Sequence, residues 1–272
     1  MGKKTLKPFN EAVEYIIRKT GAQPEAGIVL GSGLSSFTSE VEIEHEIAYE
    51  DIPHFPVSTV EGHKGKLIFG RLSGKQVVVM AGRFHYYEGY SAEELVFPVR
   101  VMKLLGVKTL LLSNAAGSVN PQYKVGDLMV INDHISFFTT NPLIGKNIAQ
   151  FGPRFPDMNE TYDRSLIAKA MAIGITHGFD LNEGVYVAVT GPTFETKAEY
   201  RFIELIGGDV VGMSTVPEAI VARHMDMKVF AVSVVTDLGM QNHAVSHEEV
   251  LEAAKNAEPK MATLFRELVA VL

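Results

Sequence analysis

The chain has 272 residues, of which 46% are hydrophobic, and its formal net charge is −7 at pH 7. This charge argues against a general attraction to nucleic acid or to an anionic membrane, so any bound anion must be held by local groups. Without cysteine there is no disulfide or thiolate chemistry, and without a signal-like N-terminus or a run of roughly 18–20 apolar residues the sequence predicts a cytoplasmic protein.

Short apolar strands alternate with amphipathic helices along the chain. Apolar spacing predicts an N-terminal helix that ends at Gly21, followed by a buried strand over 27–30. Two further strands meet at a turn at Ser73, within KLIFGRLSGKQVVVM. The other predicted strands cover 108–113, 127–133, 185–190, 209–213 and 228–236.

Capping boxes mark the starts of two helices. Ser91 with Glu94 predicts a helix that ends near Gly106, and Ser246 with Glu249 predicts a C-terminal helix. Pro259 is expected to kink the second of these. The other predicted helices cover 162–177, 196–206 and 216–225.

The strands are rich in valine, isoleucine and leucine and do not alternate with polar residues. This pattern is typical of a sheet buried on both faces, and its alternation with helices predicts a largely parallel α/β sheet. Without repeats or a linker of shifted composition, residues 1–272 are expected to form one domain. The irregular stretch 136–161 is interpreted as a functional or interface loop.

The segment AGRFHYYEGY follows the apolar run QVVVM and sets three polar side chains at alternate positions. If the strand geometry persists, Arg83, His85 and Tyr87 share one face just past a strand end. This arrangement suggests a site for an anion with a polar group beside it. The alternatives are a salt bridge at the sheet edge for Arg83 and a satisfied, partly buried imidazole for His85.

Small and polar residues also follow other strands. Ser32 lies in GSGLSSF, where glycines would let backbone N–H groups approach a phosphate; the third glycine of a dinucleotide-binding motif is missing, and a plain turn is equally compatible. His63 lies between glycines in EGHKGKLIFG, where a solvated loop histidine is the simpler interpretation. In SNAAG, the residues Asn114, Ala115, Ala116 and Gly117 would let a planar ligand lie close to the backbone, although a plain turn from strand to loop is the alternative.

Three later segments repeat this logic. In GPTFET, Phe194 could stack on a flat ring and Glu195 could accept two N–H donors from it, although core packing and an exposed carboxylate are as compatible. Ser214 in VVGMST either caps the next helix or helps to hold phosphate. Asp237 ends the strand SVVTD.

His243 and His247 are four residues apart, but no glutamate lies between them and a metal site is not expected.

Taken together, these segments resemble the trimeric purine nucleoside phosphorylases over nearly the whole chain. The matching segments, in order, are GSGL, EGHKGKLIFG, GRFHYYEGY, SNAAG, RFPDM, GPTFET, VGMSTVPE, VFAVSVVTD and SHEEV. The resemblance implies a single α/β domain whose central mixed sheet partly closes into a barrel, and a homotrimer. It also implies reversible phosphorolysis of purine nucleosides in purine salvage, with inorganic phosphate as co-substrate and without a metal or an organic cofactor.

The resemblance assigns roles to individual residues, with His85, Glu195 and Asp237 as the catalytic residues. The phosphate site falls on Ser32, His63, Arg83, His85, Ser214 and the backbone N–H of Ala115. The base and sugar sites fall on Phe194, Glu195, Met213, Asp237, Ala116, Gly117, Tyr87 and His247. Phe155, in RFPDM, matches a phenylalanine that such proteins insert into the neighbouring subunit's site.

Asp237 departs from the resemblance, because many family members have asparagine there. An ionised carboxylate only accepts hydrogen bonds, whereas asparagine also donates. Glu195 suits the N1–H of hypoxanthine or guanine, and His247 suits a 5′-hydroxyl, so inosine, guanosine and their deoxy forms are the expected substrates. The alternatives are a methylthioadenosine or adenosine phosphorylase, a non-catalytic purine-binding protein and, from GSGL alone, a nicotinamide-dependent oxidoreductase.

Overall fold

The computed structural model describes residues 5–57, 65–137, 139–240 and 245–272. Within these ranges, nine strands form one sheet with helices packed around it. The strands are Ala26–Val29 (β1), Glu42–Ala48 (β2), Lys66–Leu72 (β3), Lys75–Ala81 (β4), Thr109–Ser118 (β5), Leu128–Ile135 (β6), Leu181–Ala188 (β7), Val210–Gly212 (β8) and Lys228–Leu238 (β9). The helices are Lys7–Thr20 (α1), Ala92–Leu95 (α2), Phe97–Leu104 (α3), Arg164–His177 (α4), Lys197–Leu205 (α5), Val216–His224 (α6) and His247–Ala270 (α7).

The sheet is mixed and closes on itself at one end. Its order is β2-β3-β4-β1-β5-β8-β7-β6-β9, and β9 also pairs with β5, so that β5, β8, β7, β6 and β9 form a closed barrel. The predicted fold, a mixed sheet partly closed into a barrel and flanked by helices, is therefore confirmed. Closure removes the exposed edges that an open sheet would leave at this end.

Strand direction brings the segments with functional motifs to one end of the sheet. β1 runs parallel to β4 and β5, and β5 runs parallel to β9, so these four strands end on the same side. β8 is antiparallel to β5, with Val211 opposite Gly117, so the chain after β8 runs back along β5. The carboxyl ends of parallel strands are the usual place for ligands in α/β sheets.

Most predicted elements are present, and their ends have the expected chemistry. Gly21 ends α1 with φ at 62°, a left-handed conformation that glycine adopts without strain. Ser91 and Ser246 each accept a hydrogen bond from the backbone of the glutamate three residues later, as the capping boxes predicted. α7 continues through Pro259 up to Ala270.

Some elements differ from the predictions. The helix expected from Ser91 to Gly106 is two helices, α2 and α3, because Pro98 in the first turn of α3 has no N–H to continue the ladder. β2 was not predicted, since its charged sequence EIEHEIA lies at the edge of the sheet and is mostly exposed. Among the described residues of 136–161 there is no helix or strand, as expected for an irregular loop. No helix of the described ranges is both long and apolar enough to span a membrane.

Candidate active site

A cavity of about 410 Å³ opens where β1, β4, β5, β8 and β9 end, with the first turn of α7 at its rim. Its volume is in the range of sites that enclose a small organic molecule. The close approach of β1 to β5 depends on Gly31, because a Cβ there would lie 2.8 Å from the Cα of Asn114. The turn after β1 therefore lies directly against β5, at the floor of the cavity.

The cavity gathers the predicted site residues except two. Those that line it are Ser32, Arg83, His85, Tyr87, Ala115, Ala116, Gly117, Phe194, Glu195, Met213, Ser214, Asp237 and His247. His63 lies outside the described residues, so its predicted role stays a prediction. Phe155 lies outside the cavity of its own chain, on the irregular stretch, with 87% of its surface exposed.

Arg83 lies at the bottom of the cavity and is paired with a buried carboxylate. It is 1% exposed, and it donates from Nε and Nη2 to the two carboxylate oxygens of Glu218 at 3.1 and 2.9 Å. Glu218, on α6, is itself only 6% exposed. A bidentate pair of this kind fixes the guanidinium plane. The alternative interpretation of Arg83, a salt bridge at the sheet edge, is confirmed for the ion pair itself, which is buried and follows β4, an inner strand of the sheet.

The other donors of Arg83 face β5 and the end of β8. Nη1 donates to the backbone oxygen of Ser113 at 2.6 Å and to Oγ of Ser214 at 3.2 Å. Ser214 does not cap α6, since Thr215 is the N-cap residue of that helix and no side-chain cap bond forms. The serine hydroxyl thus belongs to the cavity and not to the helix end.

His85 and Tyr87 follow β4, but not as part of a strand. β4 ends at Ala81, and a short 3₁₀ helix begins at Tyr86. The two rings stack with centroids 4.8 Å apart, and both line the cavity. The prediction that these side chains share one face assumed that the strand continues, and it does not. The turn that follows β4 nevertheless places the two side chains together.

Burial sets the protonation of this pair. It lowers the pKa of His85, and the hydrogen bond to Glu88 only partly opposes this effect, so the imidazole is neutral at neutral pH. Nδ1 lies 3.1 Å from Oε1 of Glu88, an acceptor, so this nitrogen carries the proton and Nε2 is an acceptor. Burial also raises the pKa of Tyr87 to about 12, which keeps its hydroxyl protonated.

At the opposite end of the cavity lie the two acidic residues of the predicted base site. Burial raises the pKa of Glu195, and the charge of Asp237 adds to this effect, whereas a hydrogen bond with Tyr200 opposes it. Asp237 accepts a hydrogen bond at Oδ1 from Oγ1 of Thr236 at 3.0 Å. A Cβ on Gly117 would lie 2.7 Å from Oδ2 of Asp237, so a side chain at this position would have to displace the carboxylate.

The sequence did not predict the residues that form hydrogen bonds or ion pairs with the side chains lining the cavity. Glu218 forms a salt bridge with Arg83, and Tyr200 forms a hydrogen bond with Glu195. The hydroxyl of Thr215 lies within hydrogen-bond distance of the hydroxyl of Ser214. Glu218 lies in the segment VGMSTVPE, but nothing in a local pattern pairs it with an arginine 135 residues away. Thr215 has φ at 67°, which is uncommon for a β-branched residue and has no sequence signal.

In the described part of the chain, no group of three or more histidine, aspartate or glutamate side chains could hold a metal ion. His247 begins α7 at the rim of the cavity. Its possible metal partner, His243, lies outside the described residues.

Comparison with known proteins agrees with this geometry. The family model described as Phosphorylase superfamily matches residues 25–270. Purine nucleoside phosphorylase 1 of Bacillus subtilis is 49% identical, covering 96% of this chain and 97% of its own length, and the rat purine nucleoside phosphorylase is 45% identical over 94% and 92%. The crystal structure of Schistosoma mansoni purine nucleoside phosphorylase in complex with adenosine superimposes with a TM-score of 0.94 at 42% identity, covering 98% of both chains. The chain therefore belongs to the purine nucleoside phosphorylases of the phosphorylase superfamily, which are pentosyltransferases.

Proposed function

We propose that this protein catalyses the reversible phosphorolysis of 6-oxopurine nucleosides such as inosine and guanosine, and of their deoxy forms. The products are the free base and ribose or deoxyribose 1-phosphate, and inorganic phosphate is the co-substrate, with no metal or organic cofactor. The observation that supports this most is a single cavity lined both by Arg83 with Ser214, next to Ser113 on β5, and by Glu195 with Asp237, next to Gly117 four residues further along β5. The proposal includes a cytoplasmic role in purine salvage, with residues 1–272 acting as one domain.

The phosphate end is proposed to comprise Ser32, His63, Arg83, His85, Ser214 and the backbone N–H of Ala115. Glu218 holds the guanidinium of Arg83 in one orientation, so this side chain is positioned before phosphate binds. His85 is neutral with Nε2 as an acceptor, which suits the P–OH of hydrogen phosphate. Phosphate then sits below the anomeric carbon as the nucleophile, and no strong protein base is needed.

The base and sugar ends complete the reaction. Phe194 stacks on the purine, Met213, Ala116 and Gly117 flank it, and Tyr87 and His247 face the ribose. As the glycosidic bond stretches, the sugar becomes cationic and the purine anionic. The phosphate stabilises the first charge, and hydrogen bonds donated to the purine stabilise the second, while Glu195 accepts from the N1–H and fixes the orientation of the base.

The hydrogen bond between Tyr200 and Glu195 gives a pH prediction. Glu195 must be ionised to accept the N1–H of the base, so kcat/KM for inosine should fall as the pH drops through its raised pKa. Tyr200→Phe removes a bond that favours the ionised form, which raises this pKa further. We expect the acidic midpoint of the profile of kcat/KM against pH to move to higher pH. An unchanged midpoint, with activity retained, would mean that Glu195 is not the group that titrates.

The irregular stretch supports a homotrimer in which Phe155 enters a neighbouring subunit's site. Phe155, Phe137 and Ile144 are each mostly exposed on this stretch. Ile144 and Phe155 line the same surface depression, and contiguous exposed apolar surface of this kind marks interaction sites. Phe155→Ala should then raise the nucleoside KM without lowering the stability of the isolated subunit.

A second candidate, cleavage of adenosine or methylthioadenosine, rests on Asp237. A carboxylate at this position accepts hydrogen bonds, which a 6-amino group donates. A non-catalytic purine-binding protein is the less favoured alternative, since a binder needs no paired arginine and serine beside the base site.

The deciding experiment is release of free base from inosine, guanosine, adenosine and methylthioadenosine, each with and without inorganic phosphate. Phosphate-dependent cleavage of inosine and guanosine alone is the expected result. Strong cleavage of adenosine would favour the second candidate. No cleavage of any of the four would favour the binding protein.

A further inference from the structure

Ser214 lies at the end of a chain of hydrogen bonds that begins at a buried amide. Nδ2 of Asn114 donates to Oγ1 of Thr215 at 2.9 Å, and Oγ1 of Thr215 lies 3.2 Å from Oγ of Ser214. Asn114 and Thr215 are each 1% exposed. The strand pairing explains the contact, because the chain after β8 runs back along β5 and brings Thr215 against Asn114.

Two of these bonds have a fixed direction, because the amide of Asn114 and the guanidinium of Arg83 can only donate, whereas either hydroxyl can be the donor between Thr215 and Ser214. Thr215 accepts from the amide of Asn114, so its own hydroxyl proton is available for Ser214. Ser214 accepts from Nη1 of Arg83 at 3.2 Å as well. A hydroxyl has two acceptor lone pairs and one proton. When Arg83 and Thr215 occupy both lone pairs, the proton of Ser214 can only be donated elsewhere, and the cavity is where an acceptor can sit.

Two further features favour this arrangement. Thr215 has φ at 67° and ψ at −53°, and the N–H of Val216 donates to the oxygen of Ser214 at 2.7 Å, which closes a γ-turn around Thr215. Strain of this kind in a β-branched residue persists where the surroundings over-determine it, often at functional sites. In addition, the N–H of Ser214 donates to the hydroxyl of Tyr186 at 3.3 Å, which fixes the serine backbone.

Directional donors matter at this end of the cavity because the charge of Arg83 is already balanced by Glu218. An anion in the cavity gains less from the guanidinium charge than it would beside an uncompensated cation. The orientation of individual N–H and O–H groups then decides how tightly phosphate is held.

We propose that Asn114 and Thr215 are positioning residues that commit the hydroxyl proton of Ser214 to the phosphate. This inference rests on the proposed function, since it names what supports the phosphate end of that same cavity. Neither residue needs to contact phosphate: both act through Ser214.

The test is a double-mutant cycle read as the phosphate KM and as binding of inorganic phosphate measured by calorimetry. Thr215→Val keeps the β-branched shape and removes the hydroxyl, and we expect it to raise the phosphate KM about tenfold, with the nucleoside KM little changed. Thr215→Ser keeps the hydroxyl and should recover most of this loss. Ser214→Ala should raise the phosphate KM by about 10- to 100-fold. In the Ser214→Ala background, Thr215→Val should add less than about a twofold change.

The outcomes separate this inference from the proposed function. If Ser214→Ala leaves phosphate binding unchanged, the phosphate site itself is assigned wrongly. If Ser214→Ala weakens phosphate binding but Thr215→Val does not, the positioning role of Thr215 is refuted and the assignment of the phosphate site remains. If Thr215→Val raises the phosphate KM equally with and without the Ser214 hydroxyl, the positioning role is also refuted, because the threonine would then not act through the serine. Asn114→Leu, tested in the same cycle, should likewise lose its effect when Ser214 is absent.

Discussion

Replacing Glu195 by alanine is expected to lower kcat/KM for inosine and guanosine by about 10²- to 10³-fold while the protein stays folded. Glu195 lines the cavity and is only partly buried, so the truncation leaves no core void. What is lost is the acceptor for the N1–H of the base, which holds the purine in position for cleavage of the glycosidic bond. The phosphate KM should change little, because Glu195 lies at the base end. Steady-state kinetics with either substrate varied measures both effects.

Glu199 offers a matched control on the same segment. It is exposed and closes the capping box of α5 with Thr196, so it contributes to the helix start and not to the base cavity. Glu199→Ala should cost some stability but leave kcat/KM nearly unchanged. Near wild-type cleavage of guanosine by Glu195→Ala would show that the base site is assigned wrongly.

The sequence predicts much of the fold because its local signals are strong. β1, β3 and β4 are continuous apolar runs with a clear turn at Ser73, and both capping boxes form as expected. β2 has no such signal, since alternating charges are compatible with a loop as well as with an exposed edge strand. The closure of the barrel depends on pairing between β5 and β9, which are distant in the chain and which no periodicity relates. That feature came from the resemblance alone.

The residues of the site also fall into those that local sequence signals predict and those that they do not. Strand-end residues such as Arg83 and Asp237 could be picked out, since parallel strands end at one edge where ligands bind. Their individual roles came from the resemblance. The supporting partners could not be predicted, because Glu218 reaches Arg83 from α6 and Thr215 reaches Asn114 through strand pairing. Hydrogen-bond partners of this kind are decided by the tertiary fold and leave no local pattern.

Replacing Glu218 by glutamine is expected to destabilise the protein strongly and to make its stability depend on phosphate. Glu218→Gln keeps the shape of the side chain but leaves the guanidinium of Arg83 buried without a counter-charge. Breaking a buried pair from one side costs about 3–5 kcal/mol. Phosphate can take over as the counter-ion of Arg83. The rise in Tm on adding inorganic phosphate should therefore be larger in Glu218→Gln than in the wild type, as measured by thermal unfolding with and without phosphate.

Two controls separate charge balance from general damage. The pair of Arg71 and Glu44 is exposed, so Glu44→Gln should barely change the Tm and should not alter its response to phosphate. The double variant Arg83→Met with Glu218→Leu removes both buried charges, and it should regain much of the stability while losing the phosphate response. A Glu218→Gln protein with wild-type stability would mean that Arg83 needs no buried counter-charge. A normal response to phosphate in the double variant would mean that Arg83 does not bind phosphate, and the phosphate end of the cavity would then have to be assigned to other residues.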